Sequence, residues 1–123
     1  MIDANINRLK EGIRVVEDIL RYKDNNKELS SKLKSLRHKA QIAEQQELLR
    51  YRDSINDVLR PSTKSEQNRF SLEDILTANL KRAQESARVL EELYKLDNIT
   101  YSENFKTLRY ELYNVEKEIM LNR

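Results

Sequence analysis

Apolar residues recur at helical spacing over the first half of the chain. One set falls within an arc of about 80° at about 100° per residue, which predicts a helix over about residues 3–23. Its members are Ile2, Ile6, Leu9, Ile13, Val16 and Leu20. Asp24, Asn25 and Asn26 supply turn chemistry that ends this helix. A second helix is predicted over about 27–52, with an inner side made of Leu29, Leu33, Leu36, Ala40, Ala43 and Leu48.

The helical periodicity is lost over residues 53–70 and returns after them. This central stretch holds the single proline, Pro61, and is predicted to be a long connection. The hydroxyl of Ser71 can cap amides near Asp74, so a third helix is predicted from there to about Leu96. Thr100 and Glu103 form a capping box that is predicted to open a fourth helix. The inner side of that helix would be Phe105, Leu108, Leu112, Val115 and Ile119.

The first and third helices share one sequence pattern. When residues 3–25 are shifted by 74 positions, seven of them match identically: Ala4, Asn5, Arg8, Glu11, Arg14, Val15 and Glu17 lie over Ala78, Asn79, Arg82, Glu85, Arg88, Val89 and Glu91. In the second and fourth helices, Leu36-Arg37 corresponds to Leu108-Arg109 at a shift of 72. The repeat predicts an all-α, antiparallel four-helix bundle made of two duplicated helical hairpins with pseudo-two-fold symmetry. Residues 1–123 would be one domain, with hairpins over about 2–52 and 71–122.

Composition agrees with a helical protein and narrows its class. Charged residues make up 36% and hydrophobic residues 38% of the chain, with one Gly and one Pro, which favours long helices. The net charge of +2 gives no field that would attract nucleic acid or anionic lipid. Cysteine is absent, which excludes disulfides and thiolate metal sites. With no apolar run of membrane-spanning length, the sequence predicts a cytoplasmic protein with no nucleic-acid or membrane partner.

Two kinds of charged position are distinguishable on the repeated helix. Arg14 and Glu17, like Arg88 and Glu91, point away from the apolar arc. They are predicted to form a solvated salt-bridge ladder that contributes about 0.2–0.5 kcal/mol per pair.

Asn5 and Arg8 instead lie on the flank where a neighbouring helix would pack, and Asn79 and Arg82 repeat them. An Arg beside a helix N-terminus can hold an anion such as phosphate. Gly12, with its counterpart Ser86, lies one turn deeper on the same flank. A Gly inside a helix costs roughly 1 kcal/mol relative to Ala. It therefore indicates either a close helix contact or room for a ligand.

Other candidate chemistry is sparse. Carboxylates of the central connection, including Asp53, Asp57 and Glu66, could hold Mg²⁺, or the connection could be a polar, solvated linker. His38 is the single histidine and is interpreted as an ordinary surface or packing residue. Tyr110 and Tyr113 could stack a flat heteroaromatic ring, although aromatic residues at helical spacing are more often part of a core.

Five segments together resemble one known domain family. They are "DANINRLKEG" with Arg14 and Glu17 over 3–17, "RDSIND" at 52–57, Glu66 with Arg69, "ANLKRAQESARVLEE" at 78–92 and "LRYELYNVE" at 108–116. The chain resembles, over nearly its whole length, the small all-helical domain often fused in front of thiamine-phosphate synthase. That domain is described as a monofunctional hydroxymethylpyrimidine phosphate kinase. One departure is Leu59, which stands where a Gly is expected two residues after Asp57.

The resemblance implies a specific reaction and a set of site residues. The protein would phosphorylate 4-amino-5-hydroxymethyl-2-methylpyrimidine phosphate to the diphosphate, with ATP and Mg²⁺, in thiamine biosynthesis. Substrate and phosphate would be bound by Asn5, Arg8, Glu11, Arg69, Asn79, Arg82 and Glu85. Catalysis would involve Arg52, Asp53 and Asp57, with Asp53, Asp57 and Glu66 as metal ligands. A buried carboxylate such as Glu11 or Glu85 could instead read the aminopyrimidine edge.

Two further expectations concern partners. A thiamine-phosphate synthase is one candidate partner, and a homodimer that completes the site across its interface is another. The alternative to a kinase is a non-catalytic helical module that binds a phosphorylated metabolite or such a synthase.

Overall fold

The computed structural model describes residues 1–47 and 71–122, and the side chains of residues 1–41 and 71–122. This part of the chain contains four α-helices and no strand. They are α1 (Ile2–Asp18), α2 (Lys27–Glu47), α3 (Leu72–Tyr94) and α4 (Ile99–Leu121). The all-α prediction is therefore confirmed, whereas the pseudo-two-fold bundle stays a prediction. Of the described helices, none combines the length and the apolar content needed to cross a membrane.

The link between α1 and α2 has the predicted turn chemistry. A π-helical turn, Ile19–Lys23, extends α1 to the residue at which the predicted helix ended. Asn25 then adopts the left-handed conformation with φ of 55°, which asparagine tolerates better than most residues. The Leu29 amide donates a hydrogen bond to the Asn26 side-chain oxygen over 3.0 Å, so Asn26 caps α2.

The start of α3 follows the prediction, and the start of α4 does not. The Asp74 amide donates to the Ser71 hydroxyl oxygen over 3.1 Å, which confirms Ser71 as the cap of α3. At α4, the cap is Asn98, whose side-chain oxygen accepts a hydrogen bond from the Tyr101 amide over 3.1 Å. The predicted capping box at Thr100 is wrong because the helix has already begun at Ile99.

The predicted inner sides form one core. α1 packs against both α2 and α3, and α3 packs against α4. Ile2 is half-buried and packs against the core. The other predicted inner residues with described side chains are buried: Ile6, Leu9, Ile13, Val16, Leu20, Leu29, Leu33, Leu36, Ala40, Phe105, Leu108, Leu112, Val115 and Ile119. Ala43 and Leu48 lie outside the described side chains.

The outer helices α2 and α4 meet through ion pairs. Lys32 lies 3.0 Å from Glu118, and Lys39 lies 3.6 Å from Glu111. The later residue on α2, Lys39, pairs with the earlier residue on α4, Glu111, so the two helices run in opposite directions. A groove of about 350 Å³ lies between them.

Gly12 lies at a close contact between α1 and α3 that depends on its lack of a side chain. A Cβ atom placed on Gly12 would lie 2.9 Å from the Asn79 carbonyl oxygen and 3.4 Å from the Ala83 Cβ. Real Cβ contacts are essentially never as short as the first of these distances. The close-packing interpretation of Gly12 is therefore confirmed.

Replacing Gly12 with Ala should destabilise the fold, although Ala is the better helix former. The new methyl group would meet a backbone carbonyl, so one helix must shift to admit it. Overpacking costs about 1–3 kcal/mol, which on average exceeds the helix-propensity gain of roughly 1 kcal/mol. We expect a lower free energy of unfolding in urea. Glu11→Ala is the control because Glu11 is exposed; an unchanged or raised stability of G12A would contradict the close contact.

Candidate functional site

The two flanks of α1 face different helices. Gly12 contacts α3, whereas Glu17 is bonded to Arg37 on α2. At about 100° per residue, Asn5 and Arg8 lie on the flank of Gly12. We call this region the α1–α3 seam, and its residues are Asn5, Arg8, Gly12, Asn79, Arg82 and Ser86.

Asn5 and Asn79 have the same environment in the seam. Both are buried. The side-chain amide of Asn5 donates to the Met1 carbonyl over 2.9 Å, and that of Asn79 donates to the Ile75 carbonyl over 2.8 Å. Each bond reaches back four residues along its own helix. The repeated sequence thus produces a repeated side-chain conformation, in which each amide has the same orientation relative to its own helix.

The arginines of the seam lie nearer to solvent than the asparagines. Arg8 is exposed and Arg82 is half-buried. Ser86, the counterpart of Gly12, is buried and its hydroxyl donates to the Arg82 carbonyl over 2.8 Å. The seam therefore combines buried asparagines with more exposed arginines, a set of residues suited to an anion.

Glu11 and Glu85 are exposed rather than buried. The interpretation of either residue as a buried carboxylate is wrong. For Glu11 the reason is helix geometry. Glu11 lies about 100° around the helix from Gly12, on the side that faces away from the packed helices. Their part in substrate binding stays a prediction.

The buried carboxylates of the repeated pattern are Glu17 and Glu91. The Arg37 Nε lies 2.9 Å and its Nη2 3.3 Å from the two carboxylate oxygens of Glu17. Arg109 bonds Glu91 in the other hairpin, over 3.1 Å from Nε and 2.9 Å from Nη2. The predicted solvated ladder is therefore wrong at both glutamates.

Other carboxylates take the place of these glutamates on the surface. Arg14 pairs with Asp18 over 3.7 Å, and Arg88 pairs with Glu92 over 3.2 Å. The two ion pairs between helices had a signal in the sequence, because both the glutamates and the arginines are duplicated. Spacing within one helix could not reveal the pairs, since each joins two helices.

Arg109 contacts two tyrosine side chains in addition to Glu91. Its guanidinium lies 4.9 Å from the ring centre of Tyr110 and 5.7 Å from that of Tyr113. Its Nη1 also donates to the Tyr113 hydroxyl over 3.3 Å. The hydrogen bond to Tyr113 and then the pair with Glu91 raise the pKa of Arg109, against the opposing effect of burial. Both tyrosines are exposed, so the interpretation of them as core residues is wrong.

A further, partly buried polar contact joins α3 to α4. The Gln84 side-chain amide donates to Glu116 over 3.1 Å, and Lys81 lies 3.4 Å from the other carboxylate oxygen of Glu116. The sequence pattern gave no sign of this contact. His38 is exposed, as its interpretation as a surface residue requires.

The remaining predicted site residues lie outside the described residues. They are Arg52, Asp53, Asp57, Leu59, Glu66 and Arg69. Within residues 1–41 and 71–122, no group of three or more His, Cys, Asp or Glu side chains could hold a metal ion. The predicted Mg²⁺ ligands are thus neither supported nor opposed by the described geometry.

The family of the chain can be identified from its sequence as a whole. A family model described as "ThiD2 family" matches residues 1–118. The chain belongs to the ThiD2 family. The match covers all four helices apart from the last residues of α4, so it includes the seam and the pairs Glu17–Arg37 and Glu91–Arg109.

Several relatives of this ThiD2-family chain are named thiamine-phosphate synthase. The one from Thermosynechococcus vestitus is 37% identical, covering 99% of this chain and 35% of its own length. Those from Synechocystis and Rhodopirellula baltica are 37% and 32% identical over 98% of this chain. The chain spans about a third of the length of these curated relatives. No solved structure matches it.

The Glu91–Arg109 pair should contribute strongly to stability when one partner is removed. Arg109→Met leaves a buried carboxylate without its cation, which costs about 3–5 kcal/mol. The double variant E91L/R109M should regain most of that loss in urea unfolding, because no buried charge remains.

Two other arginines provide the comparison for this experiment. Arg37→Met should cost less, since the Arg37 side chain keeps 16% exposure against 9% for Arg109. Arg88→Ala should change stability by only about 0.5 kcal/mol, as for an exposed helix pair. If E91L/R109M lost as much stability as the single variants E91L and R109M lose together, the two groups would not interact.

Proposed function

We propose that this ThiD2-family protein is a kinase that converts 4-amino-5-hydroxymethyl-2-methylpyrimidine phosphate to its diphosphate in thiamine biosynthesis, with ATP and Mg²⁺. The observation that carries the proposal is the family match over residues 1–118, joined to the resemblance of the repeated Asn–Arg helices. The printed names of the relatives, thiamine-phosphate synthase, support the biosynthetic setting.

The α1–α3 seam supports a phosphate-binding role. Asn5 and Asn79 each use one amide N–H within their own helix, and no other hydrogen bond joins either side chain to a described residue. Their side-chain oxygens and second N–H groups therefore suit a bound substrate. Arg8 and Arg82 would supply the charge that a phosphate requires.

The chemistry of phosphoryl transfer fits such a site. The reaction depends on positioning the reacting groups and neutralising charge, more than on covalent chemistry by the protein. Arg69 would add a phosphate contact, and Asp53, Asp57 and Glu66 would hold Mg²⁺. Arg52 with Asp53 and Asp57 would act on the reacting groups. When bound, Mg²⁺ would neutralise charge on the transferred phosphoryl group.

We also propose that the four helices form a bundle with pseudo-two-fold symmetry. The support comes from equivalent contacts in the two hairpins. Glu17–Arg37 corresponds to Glu91–Arg109, and the Asn5 hydrogen bond corresponds to that of Asn79. Cytoplasmic location and a homodimer stay predictions.

A non-catalytic module is the second candidate function. The chain matches about a third of relatives named thiamine-phosphate synthase, so binding to such a synthase is a coherent alternative. It differs from the kinase in one measurable respect. Incubation with ATP, Mg²⁺ and the pyrimidine monophosphate would yield diphosphate only from a kinase.

Arg8→Ala and Arg82→Ala should each lower turnover by at least about ten-fold, which corresponds to about 1.4 kcal/mol of lost transition-state stabilisation. The reason is loss of a cation that faces phosphate. Product should be measured as diphosphate by ³¹P NMR, and helicity by circular dichroism. Arg88→Ala is the matched control, since Arg88 lies on α3 in an exposed pair with Glu92.

Normal turnover in either seam variant would remove that arginine from the mechanism. An equal loss in R88A would point to a general charge effect. No diphosphate from the unmodified protein would favour the binding module.

A further inference from the structure

A second polar cavity opens at the tip of the first hairpin, where α1 joins α2. It has a volume of about 450 Å³, and its lining includes Glu17, Arg21, Tyr22, Lys27, Ser31 and Lys34. We call it the tip groove. At 1.5 Å per residue, Arg21 lies about 20 Å along the helix from Arg8. The tip groove is therefore separate from the α1–α3 seam.

The tip groove carries a surplus of positive charge. Within the described residues, Arg21, Lys27 and Lys34 take part in no ion pair. Glu17 contributes a carboxylate to the lining, but that carboxylate is already bonded to Arg37 at 2.9 Å. Three cations thus face one cavity without a carboxylate to neutralise them, and a bound anion would relieve their mutual repulsion.

The corresponding tip of the second hairpin keeps a lysine, Lys106, at the position of Lys34, but it carries less surplus positive charge. At shifts of 74 and 72, Arg21 corresponds to Lys95, Lys27 to Ile99 and Ser31 to Glu103. Lys95 is held by Glu92 at 2.8 Å. The surplus charge of the tip groove is therefore a property of the first hairpin and does not follow from the helical fold or the repeat.

We propose that the tip groove binds the phosphate chain of a nucleoside di- or triphosphate. A cavity of this size is in the range that small-molecule ligands occupy. Three cations match the charge of such a phosphate chain. The Tyr22 ring is 72% exposed and has the Arg21 guanidinium over one face, 5.1 Å from its centre. Its exposed surface suits stacking with a base. The inference does not rest on the proposed kinase activity.

Direct binding tests the inference without any turnover measurement. Isothermal titration of the full chain with ATP, pyrophosphate and adenosine, at low and at high salt, separates the phosphate chain from the base. We expect ATP and pyrophosphate to bind, adenosine to bind much more weakly, and binding to weaken as salt rises. Arg21→Ala and Lys34→Ala should each weaken ATP binding by about five-fold or more.

Matched variants locate the bound ligand. Lys106→Ala is the control, because Lys106 is exposed and corresponds to Lys34 in the second hairpin; its affinity for ATP should not change. Ser31→Glu should abolish ATP binding, because it gives the first hairpin the carboxylate that Glu103 supplies at the corresponding position of the second hairpin. Arg8→Ala should leave the affinity for ATP unchanged, even though it lowers the turnover of the proposed kinase reaction.

Three results would overturn the inference. One is unchanged ATP affinity in both R21A and K34A. Another is loss of ATP binding in R8A, which would place the nucleotide in the seam. The third is preference for a single-stranded RNA oligomer over ATP at equal phosphate concentration, which would make the tip groove part of an RNA-binding surface.

Discussion

The close contact of α1 with α3 at Gly12 is the constraint on which the candidate site depends. Because Gly12 has no side chain, the Asn79 carbonyl can lie where a Cβ would otherwise be. This contact brings the two copies of the repeated helix together along the flanks that carry asparagine and arginine. A larger residue would separate the helices, and the two halves of the seam with them.

The ion pairs at Glu17 and Glu91 lie on the opposite flanks of the repeated helices. Glu17 with Arg37, and Glu91 with Arg109, each join an inner helix to the outer helix of its own hairpin. A buried pair is weak evidence for net stability, since desolvation offsets much of the attraction. Its geometric effect is clearer: two or more hydrogen bonds fix the rotation of each inner helix, and so fix which flank it turns to its neighbour.

Duplicated hairpins need not keep duplicated functions. In the second hairpin, Tyr94 stacks on Phe105 with ring centres 5.6 Å apart and meets Tyr101 edge-on at 5.2 Å. In the first, Leu20, Leu33 and Leu29 hold the corresponding positions, and the hairpin tip bears unpaired cations instead. The common seam and the differing tips would let a single small domain hold anionic groups at two separate places.

The sequence by itself determined the helices, most of their ends and their buried sides. These features depend on a period of 3.6 residues and on local caps such as Ser71, which a linear pattern records directly. The exception at α4 shows the limit of local reasoning, because Asn98 and Thr100 are both competent caps and only the path of the chain selects between them.

Tertiary structure decided which charged side chains are buried and which partners they bind. Glu17 and Glu91 have the spacing of surface residues, yet a neighbouring helix covers them and supplies an arginine. Glu11 and Glu85 share the same repeat and remain exposed. Burial of a polar group depends on what packs over it, and its partner is distant in sequence, so periodicity along one helix carries no information about either.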